Sequence, residues 1–371
     1  MKCKEIIKFF EEWAPKEIAW QRDNVGLQVG SIEREIENIL LSLDFTDKVL
    51  KDAIKKRCNL IITHHPFLFN PLRKVDIIND KRATLLEKLI KNNITLYSAH
   101  TNLDFTTDGV SFQLAKKLNL KDISFLVNLK ANQYKLIVFV PVTFIDKVSN
   151  AIFNAGGGII GDYSKCSFRS PGSGTFVGSV KTKPYVGEKS NFEKVDEIKL
   201  EVLVNSWELH KIISAMKKAH PYEEIAYDVI PLENFNVNYG NGAIGKLNQP
   251  MSTKDFLMYV AGKLKIKNFR FTMGKKTKVS KIAVCGGSGS EYIQDAVNLN
   301  ADAFITADLK YHIFQEIEGK LLLIDAGHYE TEIHSLNEIK RRLTNFLNEN
   351  NSHIKVFKFS GSTNPIIFYN N

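Results

Sequence analysis

Residues 58–66 read Cys-Asn-Leu-Ile-Ile-Thr-His-His-Pro. Leu60, Ile61 and Ile62 form a short apolar run of the kind a buried parallel strand makes. The run stops at Thr63, His64 and His65 follow, and Pro66 ends the ladder because it has no amide hydrogen to donate. Two imidazoles therefore stand at the carboxyl end of a buried strand, where open α/β sheets place their ligand crevice. Neutral imidazole is a ligand for zinc, copper, iron and nickel. Adjacent side chains on a strand face opposite ways, so neighbouring histidines reach two ions more readily than they chelate one. The competing explanation is a pair of hydrogen-bonded loop histidines.

The same residue types recur at other strand ends. The apolar run at 94–98 leads into Ala99-His100-Thr101-Asn102-Leu103-Asp104, and the run at 321–324 into Asp325-Ala326-Gly327-His328-Tyr329-Glu330-Thr331-Glu332. His328 and Glu332 are four apart, and with a helix beginning at Thr331–Glu332 both side chains converge over one turn. His64, His65 and His328 with Asp104 and Glu332 are too many ligands for one tetrahedral zinc. They suit two ions with open water positions and a bridging carboxylate, for which Glu332 is the candidate. His100, Lys310, Tyr311 and His312 are placed to orient ligands or to stabilise developing charge, although each serves equally well as a structural donor. The run Gly286-Gly287-Ser288-Gly289-Ser290 follows a strand and precedes a helix. Its amides could cradle a phosphate, but it lacks a Walker lysine, and a tight β-α turn explains it as well. His210, His334 and His353 read as surface residues and His220 as a turn histidine.

The elements that position these residues alternate. Helix 3–13 precedes a polar loop over 20–30, whose glycines and Asp23-Asn24 pair suit tight turns. Strand 36–43, helix 47–57 (Thr46 as its cap) and the strand of the two histidines make a β-α-β unit, which implies a parallel sheet. Helix 81–91, strand 94–98 and a helix to Leu118 continue it. Around residue 125 the pattern changes. Strand 135–141, helix 144–155, a looser glycine-containing region, strand 195–204, helix 207–219 and strand 225–230 give β-α-β-β-α-β, a ferredoxin-like order. After Gly242 the α/β alternation resumes. "NLIITHH" echoes "DAFITAD", and "LYSAHTNLD" echoes "LLIDAGHYETE". The expected architecture is α/β, with two similar halves (1–125 and 235–371) forming one metal-site domain. A ferredoxin-like α+β domain (126–234) interrupts it.

Bulk properties exclude some classes. At 371 residues the chain is long enough for two or three domains. Its 44% hydrophobic and 25% charged residues are those of an ordinary globular protein. No apolar run approaches the roughly 20 residues that span a bilayer, and the first residues read as an amphipathic helix, not a signal peptide. Cys3, Cys58, Cys166 and Cys285 form no Cys-x-x-Cys pair, which argues for a reducing cytoplasm and against a thiolate site. The net charge of +9 permits attraction to phosphates or nucleic acid. The lysines are interleaved with glutamate on helix faces, however, and read better as a solvated surface.

DNVGLQVG (23–30), ITHHP (62–66), AHTNLD (99–104), ITADLKYH (305–312) and DAGHYETE (325–332) together resemble the motifs of the NGG-interacting-factor-three-like family. Its members are dinuclear-metal proteins often labelled GTP cyclohydrolase I type 2 homologues. The resemblance covers about 1–125 and 235–371. It implies metal ligands at His64, His65, Asp104, His328 and Glu332, and two divalent ions per chain, zinc first, with manganese, iron or nickel as substitutes. It also implies a toroidal homohexamer, a trimer of dimers, and a middle domain similar to CutA-type or PII-type trimer-forming modules, of which His220–Glu223 resembles a CutA segment. The implied activity is hydrolysis of a nucleotide-like or phosphoester substrate. Metal-activated water would attack, in the cyclohydrolase case at C8 of a purine, with His100 or Glu332 moving protons. The alternatives are a non-catalytic metal-binding scaffold and, with less support, a nucleic-acid-binding ring.

Overall fold

The computed structural model describes residues 1–369. The chain divides into two compact units, Asn128–Asn238 and the remainder on either side of it.

In the larger unit the first strands are β1 (Gly26–Val29), β2 (Asn38–Ser42), β3 (Leu60–Thr63) and β4 (Thr95–Ser98), with β5 (Lys121–Lys130) at its border. The smaller unit carries β6 (Gln133–Pro141), β7 (Phe168–Val177), β8 (Phe192–Asn205) and β9 (Tyr227–Leu232). The chain then returns through β10 (Phe235–Ser252), β11 (Arg270–Thr272), β12 (Lys278–Ser288), β13 (Ala303–Ala307), β14 (Leu322–Asp325) and β15 (Lys355–Lys358).

The internal echo of the sequence is an echo of topology. One sheet runs β1-β4-β3-β2-β15 and the other β11-β14-β13-β12-β10-β5. In each, three consecutive strands are parallel, and the short strand preceding them lies antiparallel on the edge beside the third. The final strand departs from this symmetry. β15 follows the second half in sequence but pairs with β2, which brings the C-terminal residues to the first sheet.

Period-two alternation explains how each sheet is covered on both faces. Leu60 and Ile62 pack with Ile6, Phe10, Leu336 and Leu343, whereas Ile61 packs with Val49, Leu50 and Leu89. In the second sheet Ile282, Val284 and Ile305 pack with Leu114, Phe256 and Val260, while Ala283 and Phe304 pack with Ile293 and Ala296. A fully buried Leu or Ile contributes about 1.5–3 kcal/mol, so the strand centres are fixed by packing and their polar ends are held in place by it.

The structure corrects several expectations. Residues 26–29 of the anticipated loop are an edge strand. The region with Gly172 and Gly174 is a ten-residue strand in register with β8. β5, β10 and the helix Thr253–Leu264 carried no clear pattern. In the smaller unit the sheet order is β7-β8-β6-β9, all pairs antiparallel, with helices Ile145–Asn154 and Leu209–Ala219 between strands, the split βαβ order. Among the described residues no helix is long and apolar enough to cross a membrane, and all four cysteines are free.

Candidate metal centre

The backbone of His64 and His65 stays in register with the sheet beyond the end of β3. His64 N donates to Ser42 O at 3.3 Å and His65 N to Leu43 O at 2.9 Å. The Thr63 hydroxyl donates to His65 O and meets the Ser98 hydroxyl at 2.8 Å, which ties the ends of β3 and β4 together. From the second sheet, Gly327 (φ 90°) turns the chain after β14, and a short helix begins at His328, three residues earlier than expected, ending at Glu332. The i, i+4 spacing brings His328 Nε2 to 3.0 Å from Glu332 Oε1.

Glu332 is the hub. His64 Nε2 is 3.6 Å from its Oε1, His65 Nε2 3.1 Å from its Oε2, and Asp104 Oδ1 3.7 Å from His64 Nε2. His65 and His328 face each other with Nε2 atoms 3.2 Å apart. All five sequence-derived ligand residues thus meet, and the adjacent histidines address different oxygens of one carboxylate. His100 comes closer than a supporting role requires: its ring is 5.2 Å from that of His64 and 5.5 Å from that of His65. His64, His65 and His100 form one group that could hold a metal ion, and His65, His328 and Glu332 another.

The hydrogen bonds fix what each imidazole presents. Nδ1 of His64 contacts the Ala99 carbonyl at 2.8 Å, that of His65 the Asp44 carboxylate at 2.8 Å, that of His100 the Asp23 carboxylate at 2.9 Å, and that of His328 the Asp308 carboxylate at 2.6 Å. Carbonyls and carboxylates only accept, so every Nδ1 donates and every neutral ring offers a lone pair at Nε2. This is the arrangement of metal-ligating histidines backed by a second acceptor.

The donor set fits a metal. His64 Nε2, Asp104 Oδ1 and Glu332 Oε2 are buried and have no hydrogen-bond partner among the described residues. A buried, unpaired ionised group costs several kcal/mol, so a cation is the natural complement. Ligands at about 2.0–2.1 Å from a tetrahedral zinc stand about 3.3 Å apart, and the imidazole–carboxylate separations here run from 3.0 to 3.7 Å.

The electrostatics agree. Burial disfavours charge on Glu332, yet the His64, His328 and His65 imidazoles hold its carboxyl well below the usual range. Burial likewise opposes protonation of His65 and His328. Asp44 and Glu332 nevertheless raise His65 to about 10, and Glu332 and Asp308 raise His328 to about 9. Burial raises the Asp104 carboxyl, against the pull of His64 and His100. The field favours positive charge among the Nε2 atoms, and a metal there displaces protons.

The glycine run serves this cluster. Gly286 N donates to Ser111 Oγ and Gly287 N to Thr331 Oγ1, so neither amide is free for a phosphate. Gly287 has φ 66°, and a Cβ there would collide with the Glu332 carboxylate and crowd His328. Most of the run is the irregular end of β12, which reaches Ser288, and Gly287 lets it pass close to the candidate ligands.

Sequence reasoning missed the residues behind the candidate ligands. Asp23, read as a turn residue, has its side chain buried and accepts from His100, Thr101 N and the Thr101 hydroxyl. Burial works against its charge, but His100 and Thr101 bring its pKa to about 2. Asp44 was visible only as a strand end. Lys310, Tyr311 and His312 are exposed, and His312 Nδ1 pairs with Gln315, so they are not seen supporting the cluster. His220 donates from Nε2 to Phe139 O and accepts Tyr222 N–H at Nδ1, which leaves no nitrogen for a metal. His334 is half-buried, not a surface residue, and burial lowers its pKa to about 4.

The sequence profile of the Duf34/NIF3 (NGG1p interacting factor 3) family matches residues 1–365. The chain belongs to the NIF3 family. It is 37% identical over 365 residues to a Halalkalibacterium halodurans protein named GTP cyclohydrolase 1 type 2 homolog, covering 98% of both chains. A Bacillus subtilis protein of the same name is 36% identical over 367 residues, again covering 98% of each. The fold is similar to that of a Bacillus cereus protein related to NIF3, with TM-score 0.87 at 36% identity over 100% of this chain and 99% of that one. The His/carboxylate cluster of this NIF3 protein lies where its two sheets of matching topology converge.

Proposed function

We propose that this NIF3 protein binds two divalent ions, zinc first among them, and acts as a metal-dependent hydrolase on a nucleotide-like or phosphoester substrate. One observation carries the reading: His64, His65 and His328 turn Nε2 toward the buried Glu332 carboxylate, His100 stands beside the first two, and every Nδ1 is committed to an acceptor. The residues that would hold the ions are His64, His65, Asp104, His328 and Glu332, and Glu332 is the bridging candidate because its two oxygens face different histidines. Bound ions would supply hydroxide at neutral pH and a positive clamp for oxygen charge. Asp44, Asp308 and the Ala99 carbonyl hold the ligand rings in one orientation. His100, backed by the buried Asp23, is the residue placed to move a proton.

The relatives' name favours ring-opening of a guanine nucleotide over simple phosphoester cleavage, and the same ligand set serves both. The homohexamer, a trimer of dimers, and a cytoplasmic location belong to the same reading.

The test uses chelator-stripped protein reloaded with zinc, manganese, iron or nickel, then assayed against nucleoside triphosphates and aryl phosphoesters. Two ions per chain, lost in His64→Ala and His65→Ala, together with metal-dependent turnover, support the proposal. Two ions without turnover on any substrate would make the protein a metal-binding scaffold. Fewer than two ions would overturn the dinuclear centre.

A further inference from the structure

The chain beyond β15 comes back to the ligand cluster. Phe359 N is held by Leu41 O at 2.9 Å, so the segment leaves the first sheet beside β2. Four residues on, the Thr363 hydroxyl donates to Asp44 Oδ2 at 2.5 Å, while Asp44 Oδ1 holds His65 Nδ1 at 2.8 Å. One carboxylate is thus shared between the tail and a ligand imidazole. The next residue is pinned as well. Asn364 Nδ2 donates to Glu330 Oε1 at 2.9 Å, and its Oδ1 accepts Ile366 N–H at 3.0 Å, an Asx turn that aims the residues after it.

Beyond that turn, Ile366 and Phe368 line a cavity of about 280 Å³ together with Phe269, Arg270, Asp308 and His328. Both side chains are more than half exposed, at 56% and 54%, so core packing does not account for them. The volume lies at the lower limit for ligand pockets, about 300 Å³, and suits one ring system, not a whole nucleotide. Phe269 and Phe368 offer aromatic surface. The Arg270 guanidinium lies over the Phe314 ring, and its hydrogen bonds among the described residues, to Leu309 O and Asp325, both use Nη2, so Nε and Nη1 keep donors for an acceptor edge.

We propose that the segment from Thr363 to Phe368 is a working part of the metal centre. Thr363 is a positioning residue for His65, acting through Asp44. Ile366 and Phe368 wall a subsite beside His328 that takes a flat heteroaromatic ring of the substrate. The inference rests on the metal-centre reading above and adds a segment and a subsite to it.

Two experiments on the full chain test it. Cobalt(II) is titrated into wild type, Thr363→Val and Thr363→Ser, and affinity and the visible absorption spectrum are read. Loss of the hydroxyl in Thr363→Val is expected to weaken cobalt binding about 10-fold, the lower end of the range for such supporting contacts, and to change the spectrum. Thr363→Ser restores both. Wild-type affinity and spectrum in Thr363→Val would overturn the positioning role, whereas failure of wild type to bind cobalt would overturn the metal centre and this proposal with it. Purine nucleosides are then titrated calorimetrically into cobalt-loaded wild type and Phe368→Ala, with ribose 5-phosphate as the ring-free control. Phe368→Ala is expected to weaken nucleoside binding about 5-fold, the size of a lost aromatic contact, with unchanged cobalt content. No nucleoside binding by wild type, or equal binding by the variant, would overturn the ring subsite while leaving the metal centre intact.

Discussion

His65 Nε2 and His328 Nε2 face each other at 3.2 Å, brought together from positions 263 residues apart. Asp44 and Asp308 accept the Nδ1 hydrogens, so two lone pairs converge unless positive charge lies between them. A metal that binds there binds only the folded chain. Chelation is therefore expected to lower the melting temperature and zinc to restore it. The stabilisation is about 4 kcal/mol when free metal exceeds the dissociation constant 1,000-fold. Thermal melts with and without chelator check this, and identical curves would remove the metal from the account of stability.

Gly287 gives a second handle on the same cluster, from a residue with no ligand atom. At φ 66°, with the Glu332 carboxylate against the place a Cβ would occupy, Gly287→Ala strains the backbone and displaces the bridging candidate. The backbone term alone costs about 1–2 kcal/mol. Metal content by elemental analysis is expected to fall while the far-ultraviolet spectrum of the fold persists. Full metal content in a folded Gly287→Ala protein would show that the close approach is dispensable.

The candidate ligands stood out in the sequence because each follows an apolar strand, and strand ends are where an α/β sheet exposes chemistry. Asp44 and Asp23 did not: Asp44 follows β2, but Asp23 precedes the edge strand β1. A carboxylate that holds the far side of an imidazole has no fixed spacing from it: Asp44 is 21 residues from His65 and Asp23 is 77 from His100. The parallel strands were readable from continuous apolar runs such as Leu60–Ile62. β1 and β5 were not, because they carry polar residues and show neither a continuous apolar run nor a strict alternation of buried and exposed positions. Nor could periodicity show that β15 pairs with β2, since strand pairing across such a sequence separation leaves no local trace.

His100 tests whether ligand and proton carrier can be told apart. Its Nδ1 is tied to Asp23, which also accepts from the Thr101 hydroxyl, and its ring stands beside those of His64 and His65 with Nε2 left over. With the five candidate ligands intact, His100→Ala is expected to keep the wild-type metal content and, on the proposed hydrolase reading, to lose turnover by about 100-fold or more, the range for a general acid or base. Elemental analysis and initial rates on the same preparation check it. Loss of one ion would move His100 into the ligand set.

A prediction away from the metal concerns Asp302, at the start of β13. Its Oδ2 accepts Ser280 N and Lys281 N at 2.8 Å each, and Lys276 Nζ sits 2.5 Å from Oδ1, so one carboxylate ties the loop before β13 to β12. Burial disfavours its charge, but Lys276 and the two amides hold the carboxyl below its ordinary value of 3.8. A depressed folded-state pKa means that the unfolded chain binds the proton more tightly. The stabilisation is therefore complete above the unfolded value and is lost as pH falls through the folded one. Asp302→Ala leaves two amides without their acceptor and is expected to cost about 1.5–3 kcal/mol at neutral pH, the range for hydrogen bonds to a charged group. Urea unfolding of both proteins from neutral pH down to below about pH 4 checks the sign. The gap between wild type and variant narrows on the acid side, and a gap that widened there would assign the stabilisation to something other than the ionised carboxylate.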